Sequence, residues 1–470
     1  MGLAGDCGRT MNDSQGRRHL GISQPAGRSV KALHVLNSTV SRLVQGRGGP
    51  TMLWSLVDQF MVSGCNFLVG IAAARYLGIA EFGKFTLIMM IAGLATMVQS
   101  VIVAMPMVTL AGKRRKRSDS YFAAVTLWGA TLSVVFSLAT VLVVVAIYLA
   151  QSGAVSVLLI LAVLSVSIFL SMHDVVRRVL FTQRRGGEAF LFDGLRFALF
   201  GAIVIWLHGS GAVVDAPMVL IAMGASAAAV TVPFAVSLVR ARVRSRLFKR
   251  IWLRHWLPAR WLVLMELVST GQEQVIWIGV AAGLGDVAVG ALRAGQYLLG
   301  ITHFITMGSE NFLPRQAAEE YRIGGVGALK SYLARQTVLL GAVTGILILA
   351  VALPARFWLT TVFGPAYADY ASLVWIYSAT YAAIFVRSIW VFYLRTIEDT
   401  RSVFRSFLMS SVLAVVCAWP AIAAFGVAGA AWAVLGAHVV CMISVLTQVR
   451  RHLSAAERTG HLMATAPGVG

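Results

Sequence analysis

Glu266, Glu273, Arg293, His303 and Arg387 are ionisable residues set inside long apolar blocks, and any chemistry this chain performs starts with them. A charged side chain at the centre of a bilayer costs about 2.5–3.5 kcal/mol on insertion scales, so those that persist face protein or water. At 100° per residue, Glu266, Ser269, Thr270 and Glu273 fall on one helical face, with Trp277 beside them. Arg293, Gln296, His303 and Glu310 form a second stripe on the next block, and Gln59, Ser63 and Asn66 a third on an earlier one, with Asp58 nearby. These stripes are expected to line a water-filled space. There the guanidinium groups of Arg293 and Arg387 would meet anionic oxygens, and Gln59, Asn66 and Gln296 would hydrogen-bond hydroxyl groups. Glu273 and His303, at similar depth, are the candidate pair for coupling to an ion gradient. The competing reading makes the acids and arginines buried structural pairs. Asp193 and Arg196, spaced i to i+3, read as an ion pair snorkelling at a helix end.

Other chemistry finds no residues to carry it. There is no nucleophile triad, metal-ligand cluster, phosphate-cradling glycine loop or HxxxxD pattern, so the expectation is neither an enzyme nor a cofactor or metal protein. His173 and Asp174 are adjacent and read as structural. Cys7, Cys65, Cys417 and Cys441 lack CxxC spacing and read as reduced packing residues. The net charge of +21 sits almost wholly between apolar blocks, which excludes a nucleic-acid footprint.

The elements that must position the stripes follow from composition. Only 13% of residues are charged and 58% are hydrophobic, too little charge to solvate a globule. The apolar residues come in blocks of about twenty, each able as a helix to cross roughly 30 Å of hydrocarbon. About twelve such blocks are expected, near 52–75, 85–110, 121–149, 154–176, 190–208 and 212–239, then 261–283, 289–313, 333–353, 371–393, 405–424 and 427–448. Basic connections such as KRRKR at 113–117 alternate with nearly uncharged ones such as HGSGAVVD, which places both termini in the cytoplasm. The fold class is thus an all-α polytopic membrane protein of about twelve spans in two six-helix lobes around a central cavity. Residues 1–50 read as a disordered basic tail, or else as sequence upstream of the true start. Then come an N-lobe at 51–239, a basic amphipathic linker at 240–260 on the anionic leaflet, a C-lobe at 261–449 and a tail at 450–470. LGIAEFG at 77–83 returns as LGDVAVG at 284–290, and the same register pairs Gln59 with Glu266 and Asn66 with Glu273. The lobes should therefore be related by an axis along the membrane normal. Gly78, Gly83 and Gly364 read as turn glycines, and Arg75 and Glu81 as a loop-fixing salt bridge.

The stretch NFLVGIAAARYLGIAEFGKFTLI at 66–88 resembles the first-span signature of bacterial polysaccharide and O-antigen flippases of the Wzx type, matching it at Arg75, Leu77, Gly78, Glu81, Phe82 and Gly83. VFGPAYADYASLVWIYS at 362–378 and GVAGAAWAVLGAHVV at 426–440 are similar to two later motifs of that family, in the same order. The resemblance implies the fold of multidrug exporters and peptidoglycan-precursor flippases, in the bacterial inner membrane. It also implies a polyprenyl-diphosphate-linked oligosaccharide as substrate, with a polysaccharide polymerase and glycosyltransferases as candidate partners. Arg293 and Arg387 would then meet the diphosphate, and the polar rows the glycan. The chain departs from the broader family in its twelve-span length and long basic tail. The runner-up is a cation-coupled multidrug exporter on the same fold, and a membrane polymerase or ligase stands third.

Overall fold

The computed structural model describes residues 49–112, 119–211, 214–239 and 245–465, so all but the last two residues of the expected tail at 1–50, and the KRRKR loop, lie outside the described residues. Among the described residues the chain is helical almost throughout. Gly49–Gly112 breaks at Gly78 into α1 (49–77) and α2 (79–112). There follow α3 (Asp119–Ser152), α4 (Val157–Thr182), α5 (Gly186–Gly209), α6 (Ala216–Val239) and α7 (Ser245–Leu284). Asp286–Ala352 breaks at Gly324 and Gly325 into α8 (286–323) and α9 (326–352). Three short helical turns then lead to α10 (Ala371–Thr396), and Thr400–Thr465 breaks at Gly426 into α11 (400–425) and α12 (427–465). Among the described residues eight helical stretches are long and apolar enough to cross a membrane, and those at 57–108 and 400–455 each break at a glycine into two helices. The protein is a multi-pass membrane protein.

Local signals set the helix starts. Ser156 accepts from the Leu159 amide at 3.1 Å to open α4, Asp215 from Met218 at 2.9 Å to open α6, and Asp399 from Ser402 at 3.1 Å to open α11. Gly78 has φ 78° and Gly285 φ 80°, with ψ 167° and −177°. Only glycine adopts this conformation without strain, and its recurrence at matching positions makes the sequence repeat a structural one.

The two lobes meet unequally along their length. Toward the end holding the α1–α2, α3–α4 and α7–α8 turns, one apolar core runs through both lobes, from Phe82, Leu87 and Tyr148 to Trp277, Leu292 and Tyr367. Toward the other end, which carries the basic connections, the core divides. One cluster there is built from α8 to α12 around Phe392, another from α4 to α6 around Phe192, and a third joins α2, α3 and α4 to the first part of α7 around Phe122. The lobes share one core at the first end and separate toward the basic one, where α7 bridges them.

The closure is a contact between backbones. A methyl added at Gly83 would meet the Asp286 carbonyl oxygen at 1.7 Å, and one at Gly290 the Ile79 carbonyl oxygen at 2.2 Å. Gly83 is therefore not a turn residue as expected, but the point where α2 crosses α8. Its partner is its own repeat equivalent, so the pseudo-twofold axis passes between them. Around this crossing Tyr148 donates to Asp286 at 2.9 Å, Tyr367 to the Ala74 carbonyl at 3.2 Å, and Arg75 to the Thr361 carbonyl. Arg75 thus ties the lobes together and does not pair with Glu81. Glu81 instead binds Lys84 at 2.6 Å and the Ala216 amide at 2.9 Å.

The segment expected as a separate linker is, from Ser245 onward, the first part of α7. It packs against α3 through Trp252 on Trp128 (4.8 Å between ring centres) and His255 on the Tyr121 hydroxyl (3.1 Å). The expected C-terminal tail is likewise the end of α12 as far as Thr465, where His452 lies 2.8 Å from Asp399. Overpacking a fixed contact costs about 1–3 kcal/mol, so G290A should lower the thermal unfolding temperature in detergent by that equivalent. G201A, whose methyl meets open space, should not lower it.

Candidate functional site

Between the lobes lies a cavity of about 390 Å³, lined on one side by α2 and on the other by α7 and α8. It shares Met89, Gly93 and Met97 with a second space of about 360 Å³, which shares Val101, Met105 and Glu266 with a third of about 220 Å³. Together they form one cleft along α2 toward the basic end.

Of the residues singled out in the sequence, Asn66, Glu273, Arg293 and Gln296 line the first space, and Glu266 lines the second and third. Arg293 is held in place by its neighbours. Its Nη1 donates to Gln296 Oε1 at 2.6 Å, and its guanidinium lies over the Tyr297 ring at 4.6 Å. Its Nε has no hydrogen-bond partner among the described residues. That Nε is buried, so what the guanidinium offers the space is its charge and its remaining Nη donors. Gln59 donates to Ser63 at 3.1 Å on an exposed face of α1 and lines none of these spaces. The His303 side chain lies outside the described residues.

Arg387 also lines none of the three spaces, but it connects to one. Its Nη1 contacts His438 Nδ1 at 3.0 Å. Arginine can only donate, so Nδ1 accepts and the imidazole proton sits on Nε2. That nitrogen points toward Glu273 Oε1 at 3.8 Å, beyond hydrogen-bond reach. The row Arg387, His438, Glu273 thus leads from α10 through α12 to the cavity wall on α7. His438 is the residue that sequence reasoning missed. It lies in a Gly/Ala-rich helix with no polar stripe to mark it.

A second charged cluster is built into the N-lobe. Asp193 lies 2.5 Å from both His173 Nε2 and Arg177 Nε, and Arg177 also binds Asp58. His173 Nδ1 meets the Thr231 hydroxyl at 3.0 Å, and its ring stacks on Phe192 at 4.1 Å. Asp58, Asp193 and His173 are all buried. This overturns the reading of Asp193 and Arg196 as a snorkelling pair. Asp193 spends its oxygens on α4, while Arg196 is buried against the Phe197 ring at 4.0 Å. Four helices bring these groups together, so no single-helix pattern could reveal them. Their chemistry is cohesive. A buried carboxylate between an arginine and a histidine fixes α1, α4, α5 and α6 to one another.

No protein-family profile matches this sequence, and no curated protein matches it. Solved structures do. A multidrug-resistance MATE family transporter of the MOP superfamily, in its inward-facing conformation, superposes with a TM-score of 0.65 at 14% identity, over 87% of this chain and 99% of that one. The lipid II flippase MurJ in an inward closed conformation gives 0.65 at 12% identity, over 85% and 87%. An outward-facing MATE transporter gives 0.52 at 14% identity, over 89% and 98%. The chain therefore has the twelve-helix fold of the MOP-superfamily transporters.

Removing one partner from a buried ion pair costs about 3–5 kcal/mol, so D193N should strongly destabilise the protein in thermal unfolding. E188Q, which breaks the half-exposed pair with Arg185, should stay within about 1 kcal/mol of the native protein.

Proposed function

We propose that this protein is a membrane transporter that moves a polyprenyl-diphosphate-linked oligosaccharide across the bacterial inner membrane, for polysaccharide biosynthesis, by alternating access. The observation that carries the reading is Arg293, a cation fixed by Gln296 and Tyr297 on the wall of a cavity between two lobes. A glycan cannot cross hydrocarbon unaided, because each unsatisfied polar group there costs several kcal/mol. A cavity carrying Asn66, Gln296 and Glu273 replaces the lost water with hydrogen bonds, and Arg293 supplies the charge that a diphosphate needs. Neither group has to enter lipid.

In this mechanism the basic end faces the cytoplasm and admits the head group, and the Gly83–Gly290 crossing keeps the outer end shut. Rocking of the lobes about the pseudo-twofold axis then opens the outer end and closes the inner one. Glu273 is the place for a proton to bias that cycle, since it lines the cavity and faces His438. The Wzx-type signature at 75–83 favours the lipid-linked glycan over other cargo. The second reading, a cation-coupled multidrug exporter, is favoured by one observation: Glu266 and Glu273 share the cleft with Trp277, Tyr297 and several methionines, a setting suited to cationic, amphipathic molecules.

Cells relying on this protein for polysaccharide export should lose at least tenfold of surface glycan with R293A, and a comparable amount with E273Q, at matched protein levels. Unimpaired export in both variants removes the two residues from the mechanism. Export of ethidium by the purified protein in proteoliposomes, without glycan translocation, would instead establish the multidrug reading.

A further inference from the structure

The two walls of the cleft differ in chemistry. The α7–α8 wall carries Glu266, Glu273 and Arg293, whereas the α2 wall facing it presents Met89, Gly93, Met97, Val101 and Met105, one residue in every four, with Thr86, Thr96 and Ser100 beside them. Each step of four residues advances about 40° around a helix, so the five form one ridge that winds about 160° around α2 over about 24 Å. Gly93 is a notch in that ridge, where a methyl would meet nothing within 4 Å. The ridge begins beside the space that holds Arg293 and ends at Met105, which is 44% exposed and borders the third space with Leu262.

From this we propose that the α2 ridge is a distinct apolar subsite for the hydrocarbon chain attached to an anionic head, with a prenyl diphosphate as the ligand class. The inference rests on the function proposed above and adds to it: the part of the carrier next to the diphosphate lies inside the protein, and only the remainder lies in the bilayer. Charge complementarity fixes one end, because a diphosphate on Arg293 delivers its chain to Met89 and Gly93. Exposure at Met105 fixes the other, because the chain can leave there for lipid. Methionine suits a methyl-branched chain, since its unbranched, polarisable side chain adapts to irregular apolar shapes. A helix needing only to pack would gain from Leu or Val at the same positions and would have no use for an open notch.

The test is calorimetric titration of the full-length protein in nanodiscs with inorganic diphosphate and with farnesyl diphosphate. Native protein should bind farnesyl diphosphate at least tenfold more tightly than inorganic diphosphate. M89Q/M97Q should erase most of that preference while leaving inorganic diphosphate binding unchanged, and M89L/M97L should keep it. G93L, which fills the notch, should weaken the prenyl ligand alone and so separates blockage from misfolding. Equal affinities in the native protein, or a preference that survives both M89Q/M97Q and G93L, overturns the subsite. Binding of inorganic diphosphate that R293A abolishes would even then leave the proposed function standing. Titrations with both ligands that are identical for native protein and R293A overturn both, because no head would then anchor the chain.

Discussion

Everything in this molecule is arranged around the approach of two backbones at Gly83 and Gly290. With no side chain between them, α2 and α8 come close enough for each glycine to meet a carbonyl of the other helix, and that proximity lets one apolar core pass through both lobes. Toward the basic end the same helices diverge, and the space they leave is the cleft. A residue with a Cβ at either position would hold the helices apart, and the shared core around Phe82, Trp277 and Tyr367 would lose its continuity. Closure at one end and an opening at the other are thus two results of a single crossing. Because the crossing lies on the pseudo-twofold axis, it is also the contact that must part if the protein is to open the other way.

The charges are divided by a similar economy. In the N-lobe Asp58, Arg177, Asp193 and His173 pair with one another and line none of the three spaces, and a cluster so enclosed holds helices together. In the C-lobe Glu273 and Arg293 line the first space. Both lobes keep a buried polar atom without a partner among the described residues, Asp58 Oδ1 in one and Arg293 Nε in the other, so pairing alone does not tell them apart. Placement on the cleft separates a structural cluster from a candidate binding site.

Much of this was legible in the residues themselves. Twelve apolar blocks with alternating basic connections predict twelve helices, and the LGxxxxG repeat predicts equivalent breaks that Gly78 and Gly285 display with nearly equal angles. The helical stripes on α7 and α8 place Glu273, Arg293 and Gln296 on a shared space, because a polar face on an apolar helix has few other places to go. What stayed hidden depends on contacts between helices distant in sequence. Nothing local distinguishes Gly83, a crossing point, from Gly78, a turn. His438 has no polar neighbours on its own helix, and Asp193 has Arg196 close in sequence yet pairs with α4. Single-helix periodicity tells which way a residue faces, and says nothing of which partner it meets there.

One further consequence follows from the continuity of α7. Its forty residues make a rod about 60 Å long, clamped near its start to α3 by Trp252 and His255, with Glu266 and Glu273 farther along. The rod is held at its far end as well, where Gln151 donates to the Ala281 carbonyl and Trp277 enters the shared core. Glu273 lies 21 residues beyond Trp252, about 32 Å along the helix, so a tilt of about 10° at the clamp would move it sideways by about 5–6 Å. The tryptophan contact on α3 and the acidic wall thus belong to one continuous helix, and a shift at either is carried to the other.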